Sequence, residues 1–424
     1  MLIMDREGWQ SRFKSEAGKA QLELLYGESE KAYERYLNVF DGFVKAFGYG
    51  KGAFFSAPGR TELSGNHTDH QHGCVLAGAI TMDMLAVVYP RGDMKIRLVS
   101  EGYPLTELEI NELSPIAGEK NTTAAIIRGV AAGLTEQGYG AGGFDAYMVS
   151  DVPRGSGLSS SAAIEILIGI IQNVLYNSGG VDAVTLAKIG RYAENNYFGK
   201  PSGLMDQTSI ALGGVSFIDF GKDELEFERL DIDFRSMGWE ICVVNAGGAH
   251  DNLTEEYSAI TEDMRAVSSY FGKAVLADVC EYEFYKAIAD IRAKVNDRAI
   301  IRAIHFFREN ARVPKQLQAL KNKDIESYRK LMLESGRSSY EYLQNIYPVN
   351  DEKERSVSLA LCLSEIILGE EGAWRVHGGG FAGTIQALVP LDLLDSYISK
   401  MQAVFGEDSV YCLRIRSLGG YCFK

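Results

Sequence analysis

Between Val152 and Tyr176 the chain reads VPRGSGLSSSAAIEILIGIIQNVLY, a small-residue loop that runs directly into an apolar segment. Gly155 and Gly157 carry no Cβ, so the backbone around Ser156 and Leu158 can fold tightly enough to turn several N–H groups toward one anion. Ser159, Ser160 and Ser161 are placed to cap the apolar segment, and from Ala162 onward the pattern predicts a buried helix whose N-terminus faces the loop. A helix N-terminus gathers unpaired N–H groups and the positive end of the macrodipole, which is the chemistry of a triphosphate cradle. Gly/Ser-rich turns before helices are also common as plain caps, and this loop is not the usual P-loop, because no Gly-Lys-Ser or Gly-Lys-Thr occurs in the chain.

A second polar concentration lies from Gly59 to Gly73, GRTELSGNHTDHQHG, after an apolar run, Phe54 to Ala57, that predicts a strand stopping at Pro58 and Gly59. Arg60, Glu62, Asn66, His67, Thr68, Asp69, His70 and His72 crowd this short segment. His67, Asp69, His70 and His72 are metal-ligand types, but they succeed one another too closely to define a geometry; a small polar ligand ranks above a metal, and a solvated loop is the third reading. Downstream, GKPSGLMDQTSIALGG places Asp206 at the start of a helical run, where a lone Asp reads as a cap unless a partner and a phosphate site lie close. A third cluster, VHGGGFAGTIQAL from Val376 to Leu388, has three consecutive glycines that let backbone approach a ligand or the first loop.

The elements that must position these groups alternate in type. Aromatic residues at helical spacing from Asp5 to Phe47 predict amphipathic core helices. Thr81–Tyr89, Lys95–Val99 and Phe144–Ser150 read as strands, with a helix over Asn121–Leu134. A helix over Val184–Tyr197 carries Glu194, strands come next at Val215–Phe220 and Trp239–Asn245, and a helix over Leu253–Phe271 carries Tyr257. The mixture predicts an α+β, mixed α/β architecture. Two domains are expected from the length of 424 residues, with the charged stretch Gly221–Met237 as boundary, giving lobes of 1–220 and 221–424.

Hydrophobic residues at 46% and charged residues at 24% describe a globular chain. The net charge of -14 argues against nucleic acid or an anionic membrane as partner, though not against ATP held by a local nest of N–H groups. Six scattered cysteines without a CxxC pair suggest neither a zinc ribbon nor a disulfide framework. The N-terminus lacks a signal-type apolar run and no stretch reaches transmembrane length, so a cytoplasmic location is expected.

Three motifs in order, APGRTELSGNHTDHQHG, PRGSGLSSSAA and HGGGFAG, together resemble the GHMP small-molecule kinases, and within them most closely the galactokinases. GLMDQ matches the family segment that holds the catalytic Asp, and Tyr257, seven residues after His250, matches a sugar-contacting Tyr. The resemblance runs from about Phe54 to Leu388 and implies a two-lobed fold with the active site in the cleft. It implies Asp206 as general base with Arg60 as its cationic neighbour, and Gly155, Ser156, Gly157, Leu158, Ser159 and Ser160 around the triphosphate of ATP. It further implies Ser161, with Ser160, and Glu194 as Mg²⁺ ligands, and His67, Asp69, Gly203 and Tyr257 as sugar contacts, in a monomeric sugar 1-kinase. Asn66 stands where galactokinases usually have a Glu that meets an outer sugar hydroxyl, and a galacturonate kinase is therefore the runner-up reading. Glu62 stands where the family commonly has Asn, and Ala382 where it commonly has Gly. A galactokinase-like sugar sensor without turnover is the rival from another class, opposed by the presence of Asp206, Arg60, Glu194 and an intact Ser-Ser-Ser run.

Overall fold

Twelve strands arrange the described residues into two sheets. The structure, a computed structural model, describes residues 1–153, 155–200, 202–222, 226–247, 253–349, 351, 353–381 and 383–424. In chain order the strands are β1 (Ala53–Ser64), β2 (Cys74–Pro90), β3 (Lys95–Ser100), β4 (Thr106–Glu109), β5 (Phe144–Ser150), β6 (Val215–Asp219), β7 (Glu226–Leu230), β8 (Trp239–Asn245), β9 (Ala373–Val376), β10 (Thr384–Pro390), β11 (Val410–Leu413) and β12 (Tyr421–Cys422).

The larger sheet runs β12-β1-β2-β5-β3-β4, with β6 and β7 added beside β2. Only β3 and β5 run parallel within it. The strand β2 reaches 17 residues because its two halves serve different neighbours: Cys74–Gly78 pair with β6, and Met84–Pro90 pair with β5. Every residue of β1 is buried. One face packs under the apolar helix Ser160–Tyr176, and the other under the N-terminal helices, where Trp9, Phe13, Tyr36 and Phe40 surround Phe54. The smaller sheet, β11-β8-β10-β9, is antiparallel throughout and packs against the helices Ser356–Leu368 and Leu394–Phe405.

Several sequence expectations shift here. β1 does not stop at Pro58: it continues to Ser64 through a register break between Pro58 and Arg60, since a bulge tolerates a residue without an N–H. β2 likewise begins at Cys74 rather than Thr81. The charged stretch after residue 220 contains β7, an edge strand whose exposed positions hide it from a hydrophobicity reading. The helix bearing Glu194 ends at Ala193 and continues as a π-turn over Glu194–Phe198, so Glu194 sits where the helix widens. His250 and Ala382 lie outside the described residues.

Candidate active site

The bulge in β1 delivers Arg60 to the start of the Ser160–Tyr176 helix. Its backbone N–H donates to the Leu158 carbonyl at 3.1 Å, and its guanidinium donates to the Gly157 carbonyl. Gly59 is required beside it, because a Cβ there would lie 2.7 Å from the Leu158 oxygen. The same guanidinium donates from Nε to Asp206 Oδ1 at 2.7 Å, and the Ser159 hydroxyl donates to Asp206 Oδ2. Arg60, Asp206 and the glycine-serine loop, drawn from three distant parts of the chain, thus meet at one point. Burial works to raise the Asp206 carboxyl, but the Arg60 guanidinium and the Ser159 hydroxyl outweigh it and hold the group below its ordinary value. Asp206 is ionised at neutral pH, as a proton acceptor must be.

Ser159 does not cap the helix as expected. Its φ of 60° places it in the left-handed region, its side chain makes no capping bond, and its hydroxyl is directed to Asp206 instead. Ser156 is buried and closes the loop by donating to the Pro153 carbonyl at 2.8 Å. Ser160 and Ser161 occupy the first turn, half-buried.

Behind this junction Gln207 does what the sequence did not announce. Its Nε2 donates to Glu165 Oε2 at 2.9 Å and to Glu194 Oε2 at 3.0 Å, holding two buried carboxyl groups near the helix start. Burial, with Glu194 close by, pushes the Glu165 carboxyl well above its ordinary value. Its Oε1 has no partner among the described residues. Glu194 Oε1 faces Lys200 Nζ at 3.4 Å. Ser161 and Glu194 are hard oxygen donors at one end of the phosphate loop, and an unsatisfied carboxyl oxygen stands next to them. This donor set suits Mg²⁺ rather than a soft metal. A pairing of Glu165 with Gln207 is invisible in sequence because both look like polar breaks in apolar helices.

The three glycines at 378–380 bring the third motif against the other two. A Cβ on Gly157 would come within 3.1 Å of His377 Nδ1, and one on Gly379 would lie 2.5 Å from the Tyr257 ring. His67 Nε2–H donates to the Gly379 carbonyl at 2.9 Å, and the Tyr257 hydroxyl donates to that of Gly380 at 3.2 Å. The His67 and Tyr257 rings are stacked, with centroids 6.5 Å apart. Together with Asp69 and Gly203 they line one open cavity of about 950 Å³ beside Leu204, two residues before Asp206. Gly203 must lack a side chain, because a Cβ would sit 2.1 Å from Asp69 Oδ2. Burial, opposed by His67, raises the Asp69 carboxyl.

Asn66 is placed apart from those four. It is 0% exposed. Its Nδ2 donates to Gly378 O at 2.6 Å and to Glu62 Oε1 at 3.1 Å, while its Oδ1 accepts from Asn345 Nδ2 at 2.8 Å. Glu62 in turn is paired with the fully buried Arg375. Protein groups thus engage the whole amide of the residue expected to meet the sugar. Glu62 and Asn66 together invert the family's usual Asn and Glu at two positions in hydrogen-bond contact. Beneath them His305 Nε2–H donates to the Asn66 carbonyl at 2.9 Å, and Glu309 Oε1 accepts from the Gly65 N–H at 3.1 Å.

Comparison with known proteins matches this geometry to one family. A family model described as the galactokinase galactose-binding signature matches residues 41–90, and one described as the GHMP kinases N terminal domain matches residues 125–214. The chain is 33% identical over 359 residues to a galactokinase of Actinobacillus pleuropneumoniae serotype 3 (strain JL03), covering 82% of this chain and 88% of that one. The galactokinase of serotype 5b (strain L20) gives the same identity and coverage. Among solved structures, Lactococcus lactis galactokinase complexed with galactose shares the fold with a TM-score of 0.78 at 24% identity, over 90% of this chain and 98% of that one. Methanococcus jannaschii mevalonate kinase shares it with a TM-score of 0.62 at 17% identity, over 86% and 98% of the two chains.

Proposed function

The chain belongs to the galactokinase family of the GHMP kinases, and from that membership we propose that it transfers the γ-phosphoryl group of ATP to the anomeric hydroxyl of galactose, with Asp206 as base. The observation that carries the reading is the junction of Asp206, Arg60 and the glycine-serine loop. A sugar hydroxyl is a poor nucleophile at neutral pH and needs an acceptor for its proton in line with the γ-phosphorus.

Asp206 Oδ2 accepts a hydrogen bond from the Ser159 hydroxyl in this structure. The anomeric hydroxyl of the sugar takes that place when bound. As its O–H bond breaks toward Asp206, its oxygen bonds the γ-phosphorus. The bond from that phosphorus to the β–γ bridging oxygen breaks, and ADP leaves with the electron pair. Arg60 keeps Asp206 ionised beforehand and offsets charge on the moving group. The N–H groups of Gly155 to Ser160 face the phosphates. His67, Asp69, Gly203 and Tyr257 orient the ring. Ser161 and Glu194 would hold Mg²⁺, which supplies charge neutralisation on the β and γ oxygens when bound. Asn66 supports this site from below rather than touching sugar.

We also propose the lobe division near residue 220, with β7 and β12 returning to the first sheet, and a monomeric cytoplasmic enzyme. Among the described residues no helix is long and apolar enough to cross a membrane.

The test is Asp206→Ala in a coupled ADP-release assay with galactose, alongside calorimetric sugar binding. Turnover should fall by about 10²- to 10⁴-fold with binding largely kept. Normal turnover by this variant would remove Asp206 from the mechanism.

A further inference from the structure

The cavity beside the sugar loop is cationic on a chain that is strongly acidic. Acidic side chains outnumber basic ones 57 to 43 overall. Around this cavity the ratio inverts: Lys188, Arg191, Lys200, Lys222 and Arg265 line it against the single carboxylate of Asp69. Lys200 is paired with Glu194, and Arg191 Nε donates to the Ser202 carbonyl at 3.3 Å. Lys188, Lys222 and Arg265 form no ion pair among the described residues. None of Gly155 to Ser161 lines the cavity.

His70 sharpens the chemistry. The Leu276 N–H donates to Gln71 Oε1 at 3.0 Å, which fixes the Gln71 amide so that its Nε2 donates to His70 Nδ1 at 3.1 Å. The proton of a neutral His70 therefore sits on Nε2, and that N–H has no acceptor among the described residues. Burial, with His67 and Arg265 close by, holds the imidazole down to about 3, so it is neutral at working pH. His70 thus adds a neutral ring, and no negative charge, to this wall. Next to it Arg265 offers a planar fork suited to two oxygens of one anionic group. The neighbouring position that commonly carries a carboxylate in this family is here Asn66, turned inward, and the Glu62 charge is neutralised by Arg375. The loop thus presents donors and no unpaired carboxylate except Asp69, whose carboxyl is raised by burial.

We propose that the acceptor this cavity prefers over galactose is a hexose of galactose type bearing an anionic group at C6, with that group held by Arg265 in the field of Lys222. The inference rests on the kinase reading above and refines its substrate. Carboxylate and phosphate share the required chemistry, and the transfer at the anomeric oxygen leaves either group untouched.

The test measures kcat/KM by ADP release for galactose, galacturonate and galactose 6-phosphate on the wild-type protein and on Arg265→Gln. One anionic sugar should exceed galactose by at least about tenfold, and whichever does identifies the group as carboxylate or phosphate. In Arg265→Gln the ratio of that sugar to galactose should fall by about tenfold or more, and in the wild type it should shrink as salt rises. Turnover of galactose without preference for either anionic sugar would overturn this inference and leave the kinase reading intact. An unaltered ratio in Arg265→Gln would overturn the placement of the anion. No ADP release with any sugar would overturn both readings together.

Discussion

Exchanging the buried pair under the sugar loop one member at a time should be far more damaging than exchanging both. Asn66→Glu removes the donor that serves Gly378 O and Glu62 Oε1 and sets a second carboxyl against the first, in a place with no access to water. Two buried acceptors each lose a partner at about 1 to 3 kcal/mol, so a loss of about 2 to 6 kcal/mol is expected. Glu62→Asn instead strips the anion from Arg375, whose side chain is 0% exposed, and breaking such a pair costs about 3 to 5 kcal/mol. The double variant returns one amide and one carboxylate to the same contact. Its loss should therefore fall short of the sum of the singles by about 2 to 3 kcal/mol. Urea unfolding followed by tryptophan fluorescence suits the measurement, since Trp374 adjoins Arg375 in β9. Losses that add to within about 0.5 kcal/mol would refute the coupling, and with it the view that these two positions form one unit.

Burial holds His305 down to about 4 from an ordinary 6.5, and both its nitrogens are engaged in the neutral form, Nε2–H by Asn66 O and Nδ1 by the Ser338 hydroxyl. The unfolded chain gains this proton near 6.5 and the folded one only near 4, so His305's contribution is present above 6.5 and is lost as pH falls through that window. The loss is on the order of 3 kcal/mol, and thermal unfolding of His305→Gln should show a correspondingly shallower decline between those pH values. A Cβ at Gly203 would displace the Asp69 carboxylate, so Gly203→Ala should raise KM for the sugar by about tenfold while leaving the unfolding midpoint within a degree or two of wild type. An unchanged KM would mean that Asp69 does not meet the sugar.

The three clusters that meet at the cleft stand out in sequence because glycine and serine density has few structural uses, and because Arg60 and Asp206 each sit beside such a cluster. Other features were hidden for particular reasons. Pro58 reads as the end of a strand, yet a bulge carries β1 past it to Arg60. Ser159 reads as a cap, yet its left-handed backbone sends the hydroxyl to Asp206. Asn66 sits in a polar loop and reads, through the family resemblance, as a sugar contact. Only the fold reveals that Asn345, 279 residues later, closes over it. Gln207, Glu165 and His70 act through contacts between separate elements, which no local pattern records.

The placement of β12 bears on how the protein is made. β1, the strand that carries Arg60, is flanked on one side by Tyr421 and Cys422, and Arg416 reaches back 360 residues to donate to the Ser56 hydroxyl on that strand. While the ribosome is still adding residues, the strand beside the phosphate-facing helix has an open flank. At about 5 to 20 residues per second that interval is on the order of 20 to 70 s. The strand that carries Arg60 therefore gains this border only once residues 421–422 have been made, and a fragment cut before them would lack that edge of the sheet on which the site is mounted.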